Sequence, residues 1–161
     1  MSKKKPKEKQ DSWIIARNKK ASFEYHLEQK FEAGLVLLGW EVKSLRSNRV
    51  QMQESHVIMR DGEAWLLNLE ISPLPEASKH TEPKPTRTRK LLLNKKELNK
   101  LIGAVERSGY TVIPVYMYWK NGKAKIEIAL AKGKKLHDKR QSMKDRDWSR
   151  DKQRLLKSSN R

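Results

Sequence analysis

The chain has no cysteine among its 161 residues, and that one absence removes disulfides, thiolate-bound zinc and cysteine nucleophiles together. It has no apolar run near the roughly 18 residues needed to cross a bilayer. Its lysine-rich start carries no apolar segment of the kind that makes a signal peptide, so a soluble, cytoplasmic protein is expected. Neither a GxxxxGKS/T loop nor a GxGxxG turn is present to cradle the phosphates of a nucleotide, and no internal repeat is visible. The histidines are few and scattered: His26, His56, His80 and His137 stand at no metal-ligand spacing to one another, so no metal site is expected.

Acid is the other shortage. Against 37 Lys and Arg there are 19 Asp and Glu, a formal charge of +18, and the excess is uneven. Residues 1–20 hold eight basic and two acidic groups, residues 131–161 hold twelve and four, and the middle holds 17 and 13. Self-repulsion on that scale opposes compact tails, so a polyanion that neutralises it is the natural partner, nucleic acid first.

A length of 161 residues fits one domain with tails. The expected division is a basic flexible arm over 1–17, a folded domain over 18–131 and a basic tail over 132–161. In the arm only Trp13, Ile14 and Ile15 could pack. From Phe23 the apolar residues Phe23, Tyr25 and Leu27 alternate with polar ones at the period of a half-buried strand, and a second strand piece is read at Phe31 to Leu38. Gly39 breaks that run before a short helix carrying Val42, Leu45 and Arg46. Ser55 to Met59 and Ala64 to Ile71 are apolar segments joined at Asp61-Gly62, a hairpin signal, with Trp65, Leu67, Leu69 and Ile71 read as one face. Four of the six prolines crowd residues 73–90, which reads as a long loop carrying Arg87, Arg89 and Lys90. Asn94 with Glu97 forms a helix-capping pattern ahead of Leu98, Leu101, Ile102 and Val105, and Gly109 supplies the stop. Two further strands, Thr111 to Trp119 and Lys123 to Ala131, flank Asn121-Gly122, which favours a tight hairpin turn, with Ile126, Ile128 and Leu130 facing the core. Five or six antiparallel strands with inserted helices suggest a mainly β, OB-like closed antiparallel barrel, since closure removes exposed strand edges.

His137 and Asp138 in "AKGKKLHDKR" invite a catalytic reading. Neighbours in sequence diverge on a helix or strand, however, and no positioned base and orienter can be read elsewhere, so no enzyme is expected. The tail's apolar residues form no stripe: Leu136 and Met143 sit together on a helix while Trp148 and Leu155 lie roughly a third of a turn away. Trp148 among Arg146, Arg150 and Lys152 suits a segment that orders on RNA, with cations for phosphates and a ring to stack on a base.

Four strings, "FEAGLVLLGWEVKSLR" (31–46), "PTRTRKLLLNKKEL" (85–98), "GYTVIPVYMYWKNGKAKIEIALAKGKK" (109–135) and "HDKR" (137–140), resemble the SsrA-binding protein family, also called small protein B. The likeness is collinear from about Asn18 to the C-terminus. It implies an OB-type barrel that binds the tRNA-like domain of transfer-messenger RNA, brings that RNA with elongation factor Tu to stalled ribosomes and permits trans-translation, with no cofactor and no enzymatic step. By position, the implied RNA-binding surface is Tyr25, Glu32, Leu92, Asn94 and Lys125, with basic help from Lys19, Lys43, Arg46 and Lys90. The implied tail, disordered when free and helical in the empty mRNA channel of the ribosome, includes Gly133, Lys134, Lys135, His137, Asp138, Lys139, Arg140 and Trp148. Trp40 stands where many members have Thr, and His137 where many have Tyr.

The residues themselves leave some of these roles open. Asn94 serves as a helix cap or an RNA contact, or both, since an N-cap sits beside free backbone N–H groups. Tyr25 packs inward or meets RNA. Glu32 on an RNA surface repels phosphate unless it accepts from base edges or 2′-hydroxyls, or orients a cation. Lys125 is either a phosphate contact or a solvated strand residue. The rival readings are a constitutive ribosomal or general RNA-binding protein anchored by its tails, and an RNA-processing enzyme.

Overall fold

The hairpins legible in the sequence set the register of two strand pairs in the sheet. In the computed structural model, which describes residues 13–76 and 82–159, the elements run β1 (Ile14–Arg17), α1 (Lys19–Glu24), β2 (Tyr25–Leu35), α2 (Gly39–Arg46), β3 (Val50–Gln51), β4 (His56–Arg60), β5 (Glu63–Leu67), β6 (Glu70–Ile71), β7 (Arg89–Leu92), α3 (Lys95–Ser108), β8 (Thr111–Lys120), β9 (Lys123–Gly133) and α4 (Leu136–Ser159). Asp61 and Gly62 have φ of 52° and 72°, and Asn121 and Gly122 have 51° and 72°, the left-handed pair that a two-residue hairpin requires. They join β4 to β5 and β8 to β9 in antiparallel register.

Seven strands form one sheet in the order β1-β8-β4-β5-β7-β2-β9, and β8 also pairs with β9; β3 and β6 make a separate two-stranded ladder. The molecule is mainly β, as expected, with a C-terminal helix. Leu45, Leu66, Leu69, Ile71, Leu101, Met117, Ile126 and Ile128 are fully buried inside it. Pro114 interrupts β8 where the pairing with β9 shifts register, between Pro114 and Tyr116. A residue without an N–H is tolerated where a ladder slips. Asn18 bridges the gap, its backbone N–H donating to Val115 O at 2.8 Å and its amide Nδ2 to Pro114 O at 3.0 Å.

Several expectations are corrected. The ordered chain begins before Asn18: β1 pairs with β8 from Ile14, Ile15 is buried in the core, and the Trp13 ring lies edge-on to Tyr118 at 5.3 Å. Residues 1–12 of the basic arm, and 77–81 of the proline-rich loop with His80, lie outside the described residues. Phe23 belongs to α1 and not to the strand, and the two strand pieces are one continuous β2. In β5 the buried residues are Ala64 and Leu66, not Trp65 and Leu67. This strand is apolar on both faces, so alternation could not decide which face is inside. Asn68, at φ 57°, then resets the alternation so that Leu69 and Ile71 are buried as expected.

The largest correction concerns Arg89, which is not a loop cation. It is fully buried, as is Glu41 of α2. Arg89 Nε donates to Glu41 Oε2, and its two terminal nitrogens donate to Leu69 O at 2.6 Å, Arg87 O at 3.0 Å and Pro85 O at 3.0 Å. Glu41 Oε1 accepts from Leu38 N at 2.8 Å and from Arg87 at 2.5 Å. One pair thus fastens the start of α2, the end of the proline-rich loop and β7. Burial pulls the Arg89 guanidinium below its ordinary value against the opposing effect of Glu41, but from so high a start that it stays charged at any ordinary pH. Removing one member of such a pair leaves the other buried and uncompensated. Arg89→Met is expected to cost about 3–5 kcal/mol of stability by denaturant unfolding, and Asn94→Ala, which removes the acceptor for Glu97 N, only about 1 kcal/mol.

Candidate nucleic-acid interface

The outward face of β2, β9 and β8 is built by cross-strand register. Gly34 of β2 pairs with Lys125 of β9 and with Leu92 of β7, and Lys125 in turn pairs with Tyr118 of β8. Three residues that are far apart in sequence, Leu92, Lys125 and, two positions along β2, Glu32, therefore lie side by side. Leu92 is 52 % exposed, which is unusual for a leucine on a strand this close to the core. A Cβ on Gly34 would meet Leu92 Cβ at 3.2 Å and Lys125 Nζ at 3.7 Å. The glycine thus leaves the sheet surface low between an apolar and a cationic side chain. A cleft of about 340 Å³ opens there, lined among others by Gly34, Leu92, Val42, Trp119 and Lys125. Lys43, the next residue of α2 after Val42, is exposed, as is Arg46.

Glu32 is the acid of this face. Its carboxylate accepts from Tyr118 Oη and from Lys120 Nζ at 3.1 and 3.2 Å. The Tyr118 hydrogen bond, helped by Lys120 and Lys125, holds the Glu32 carboxyl below the usual carboxylate range, while burial and the bond to Glu32 push the Tyr118 phenol up. Glu127, directly opposite Glu32 on β9, has Lys30 Nζ at 3.5 Å. Lys90 is paired with Glu63 at 2.7 Å, so its charge is partly answered within the protein. Asn94 caps α3, accepting Glu97 N at 2.9 Å, two residues beyond Leu92; its structural role is realised and its side chain remains exposed.

Tyr25 and Lys19 are elsewhere. Tyr25 opens β2, seven residues and so about 23 Å of strand from Glu32, where it packs on Ala21, Ile113 and Ala131. It borders a second cleft of about 330 Å³ lined also by Asn18, Lys20, Glu54 and His56. Lys19 begins α1 and is exposed. The inherited set is therefore split between two ends of the sheet. Trp13, Tyr118 and Lys120 were missed: the pairings of β1 with β8, β8 with β9 and β9 with β2 bring them to Glu32, and their own sequence segments carry no sign of it.

The tail is not disordered in the structure. It forms one helix of 24 residues, about 36 Å long at 1.5 Å per residue. The segment 136–159 contains no Gly, Pro or β-branched residue, so no strong helix breaker interrupts it, and its root is tied down. Lys134 N donates to Glu24 O at 2.8 Å, Lys134 Nζ donates to Ser22 O at 2.9 Å and meets Ser142 Oγ at 3.0 Å, and Arg146 lies 5.3 Å over the Phe23 ring. Asp138 stands 3.4 Å from His26 and 3.0 Å from His137. The two neighbours expected to diverge thus approach through their flexible side chains, and the contact of Asp138 with His26 of β2 ties the helix to the sheet. Gly133 ends β9, and none of the helix residues is buried. Leu136, Met143, Trp148 and Leu155 are all exposed, as are His137 and Arg140. Among the described residues no group of His, Cys, Asp and Glu could hold a metal ion, and no helix is long and apolar enough to cross a membrane.

A β-sheet face with exposed cations around a shallow apolar floor, continued by a long cationic helix, has the chemistry of a protein that holds a polyanion over an extended path. Comparisons with known proteins agree. The model of the SmpB protein family matches residues 15–158. An SsrA-binding protein from Alkalilimnicola ehrlichii is 59% identical over 151 residues, covering 94% of each chain. A chain from the solved structure described as "tmRNA-SmpB: a journey to the center of the bacterial ribosome" superposes with a TM-score of 0.63 at 41% identity, over 76% of this chain and 86% of its own. This chain belongs to the SmpB family.

The anchor of the tail is pH-dependent with a definite sign. The hydrogen bond to His26, with the His137 charge and Lys135 N–H, holds Asp138 below the ordinary carboxylate value. Its contribution is therefore present above the unfolded value of about 3.9 and is lost as pH falls through the depressed folded value. Amide-exchange protection in the first turns of α4 is expected to drop selectively in that acid range, and Asp138→Asn to produce the same drop at neutral pH.

Proposed function

We propose that this protein binds the tRNA-like domain of transfer-messenger RNA (SsrA RNA) and promotes its delivery, with elongation factor Tu carried on the same RNA, to stalled ribosomes for trans-translation in the bacterial cytoplasm. The observation that carries this reading is the SmpB family match over residues 15–158, which spans the sheet and the terminal helix together. The sheet is read as a closed OB-like barrel. The path from β8 through β4, β5, β7, β2 and β9 returns to β8, and this supports closure. The barrel carries the RNA surface: Glu32, Leu92, Asn94 and Lys125 on one side with Lys43, Arg46 and Lys90 around them, and Lys19 and Tyr25 at the other end of β2. The protein acts by binding and makes or breaks no bond.

The helix has a separate task. Some 36 Å of cationic rod, with Lys134, Lys135, Lys139 and Arg140 near its root and Trp148 exposed midway, suits a channel walled by RNA phosphates. A channel filled by message excludes it sterically, so an empty channel is the signal. His137 sits where the helix leaves the barrel and is free to stack on a base of the decoding centre.

A chain ending at Lys135 keeps β9 whole. It is expected to retain its affinity for the isolated tRNA-like RNA while losing accommodation on stalled ribosomes, measured by binding and by tagging of a truncated-message product. His137→Ala is expected to behave the same way in milder form. A constitutive ribosomal anchor would instead lose RNA binding broadly when the tail is cut. Affinity for the RNA is expected to fall with salt, and Lys125→Ala to reduce the logarithmic slope by about 0.7–0.9, the share of one phosphate.

A further inference from the structure

Glu32 is an acid on the outside of a protein with a net charge of +18, in the middle of the face that suits RNA, and phosphate gives it nothing to do. Its surroundings are specific. Oε2 accepts from Tyr118 Oη and from Lys120 Nζ, and Oε1 accepts from the same Nζ. A carboxylate offers about four lone-pair sites; three are occupied, and the open one is on Oε1. The Tyr118 hydroxyl is placed by packing and not by solvent. The residue is 7% exposed, with Trp13 edge-on at 5.3 Å and Tyr116 at 5.2 Å. Two residues along β2, about 6.6 Å, Gly34 keeps the surface low, and Lys125 stands beside it as a cation for phosphate. Glu127, opposite Glu32, adds a second negative charge that repels phosphate from this spot.

We propose that Tyr118 and Lys120 are positioning residues that hold Glu32 Oε1 open toward one neutral hydrogen-bond donor of the RNA, either a ribose 2′-hydroxyl or the exocyclic amine of a base, on a nucleotide whose phosphate is taken by Lys125. The proposal rests on the RNA-binding reading above. The acid then works as a selector. It rejects a backbone laid in the wrong register by like charge, and rewards the one register that brings a donor to Oε1. A carboxylate is ionised at physiological pH in any case; the Tyr118 bond lowers its pKa further and, with Lys120, fixes which oxygen is left open.

The test uses the full chain and a transcript of the tRNA-like domain, with binding measured across pH and salt. Tyr118→Phe, which keeps the ring packed on Trp13, is expected to weaken binding about tenfold, the loss of roughly one hydrogen bond to a charged group. It should do so without changing the salt slope, since no phosphate contact is lost. Its affinity should begin to fall at a higher pH than that of the parent, because Glu32 returns toward an ordinary value. Lys120→Met, which does not touch the aromatic packing, is expected to show the same pH shift, and Glu32→Gln with Tyr118→Phe should bind no worse than Glu32→Gln alone. Single 2′-deoxy substitutions identify a ribose donor, and inosine or purine replacements identify a base amine; whichever weakens the parent should leave Glu32→Gln unaffected. Parental affinity and pH profile in both Tyr118→Phe and Lys120→Met would overturn the proposal, as would full additivity of the double variant. Failure of the parent chain to prefer this RNA over an unrelated duplex would overturn the RNA reading, and the proposal with it.

Discussion

Glu41 and Arg89 lie fully buried against each other, and the segments that carry the outer surface meet on them. Glu41 belongs to α2, whose last turn bears Lys43 and Arg46. Arg89 begins β7, which bears Lys90 and Leu92, and its guanidinium also gathers the carbonyls of Leu69, Pro85 and Arg87. Buried ions tolerate only arrangements that satisfy them. That intolerance fixes α2 and β7 in relation to each other, and so fixes the wall of the cleft over Gly34. The positions of the exposed cations follow from a pair that no ligand touches.

The face so placed is not uniformly positive. Glu32 and Glu127 sit among Lys30, Lys120 and Lys125, with an apolar floor at Leu92. Uniform positive charge attracts any nucleic acid equally, whereas opposite charges at fixed spacing make one docked register better than its neighbours. Tyr118 is half of that device, since its packed ring allows the Glu32 carboxylate little freedom. The protein thus combines a net charge of +18 with a local pattern of opposite charges, and in the proposed docking the first would draw RNA in and the second would align it.

The terminal helix obeys a different balance. It has no buried side chain, so nothing in the core holds it together; its helicity rests on residue propensity and on the ties at its root to Ser22, Glu24 and His26. Those ties set the direction in which the rod leaves the sheet, while Trp148, Leu155 and Leu156 towards its far end stay exposed. A helix stabilised locally can keep its shape when its surroundings change.

The sequence by itself determined the turns at Asp61-Gly62 and Asn121-Gly122, the capped helix from Asn94 to Gly109, the strands that end in those hairpins and the cationic character of the tail, because each depends on neighbours within a few residues. Its long motifs also pointed to the family. It could not determine which face of β5 is buried, where both faces are apolar, nor that β1 joins the sheet, where four residues gain their stability from β8. Arg89 looked like one more loop cation, since only the fold brings Glu41 across 48 positions to meet it. The split of Tyr25 from Glu32, and the joining of Glu32 to Tyr118 and Lys120, were likewise decided by register between strands. Outside the two hairpins, cross-strand neighbours are set by which hydrogen-bond ladders form, and no local pattern in the chain specifies that.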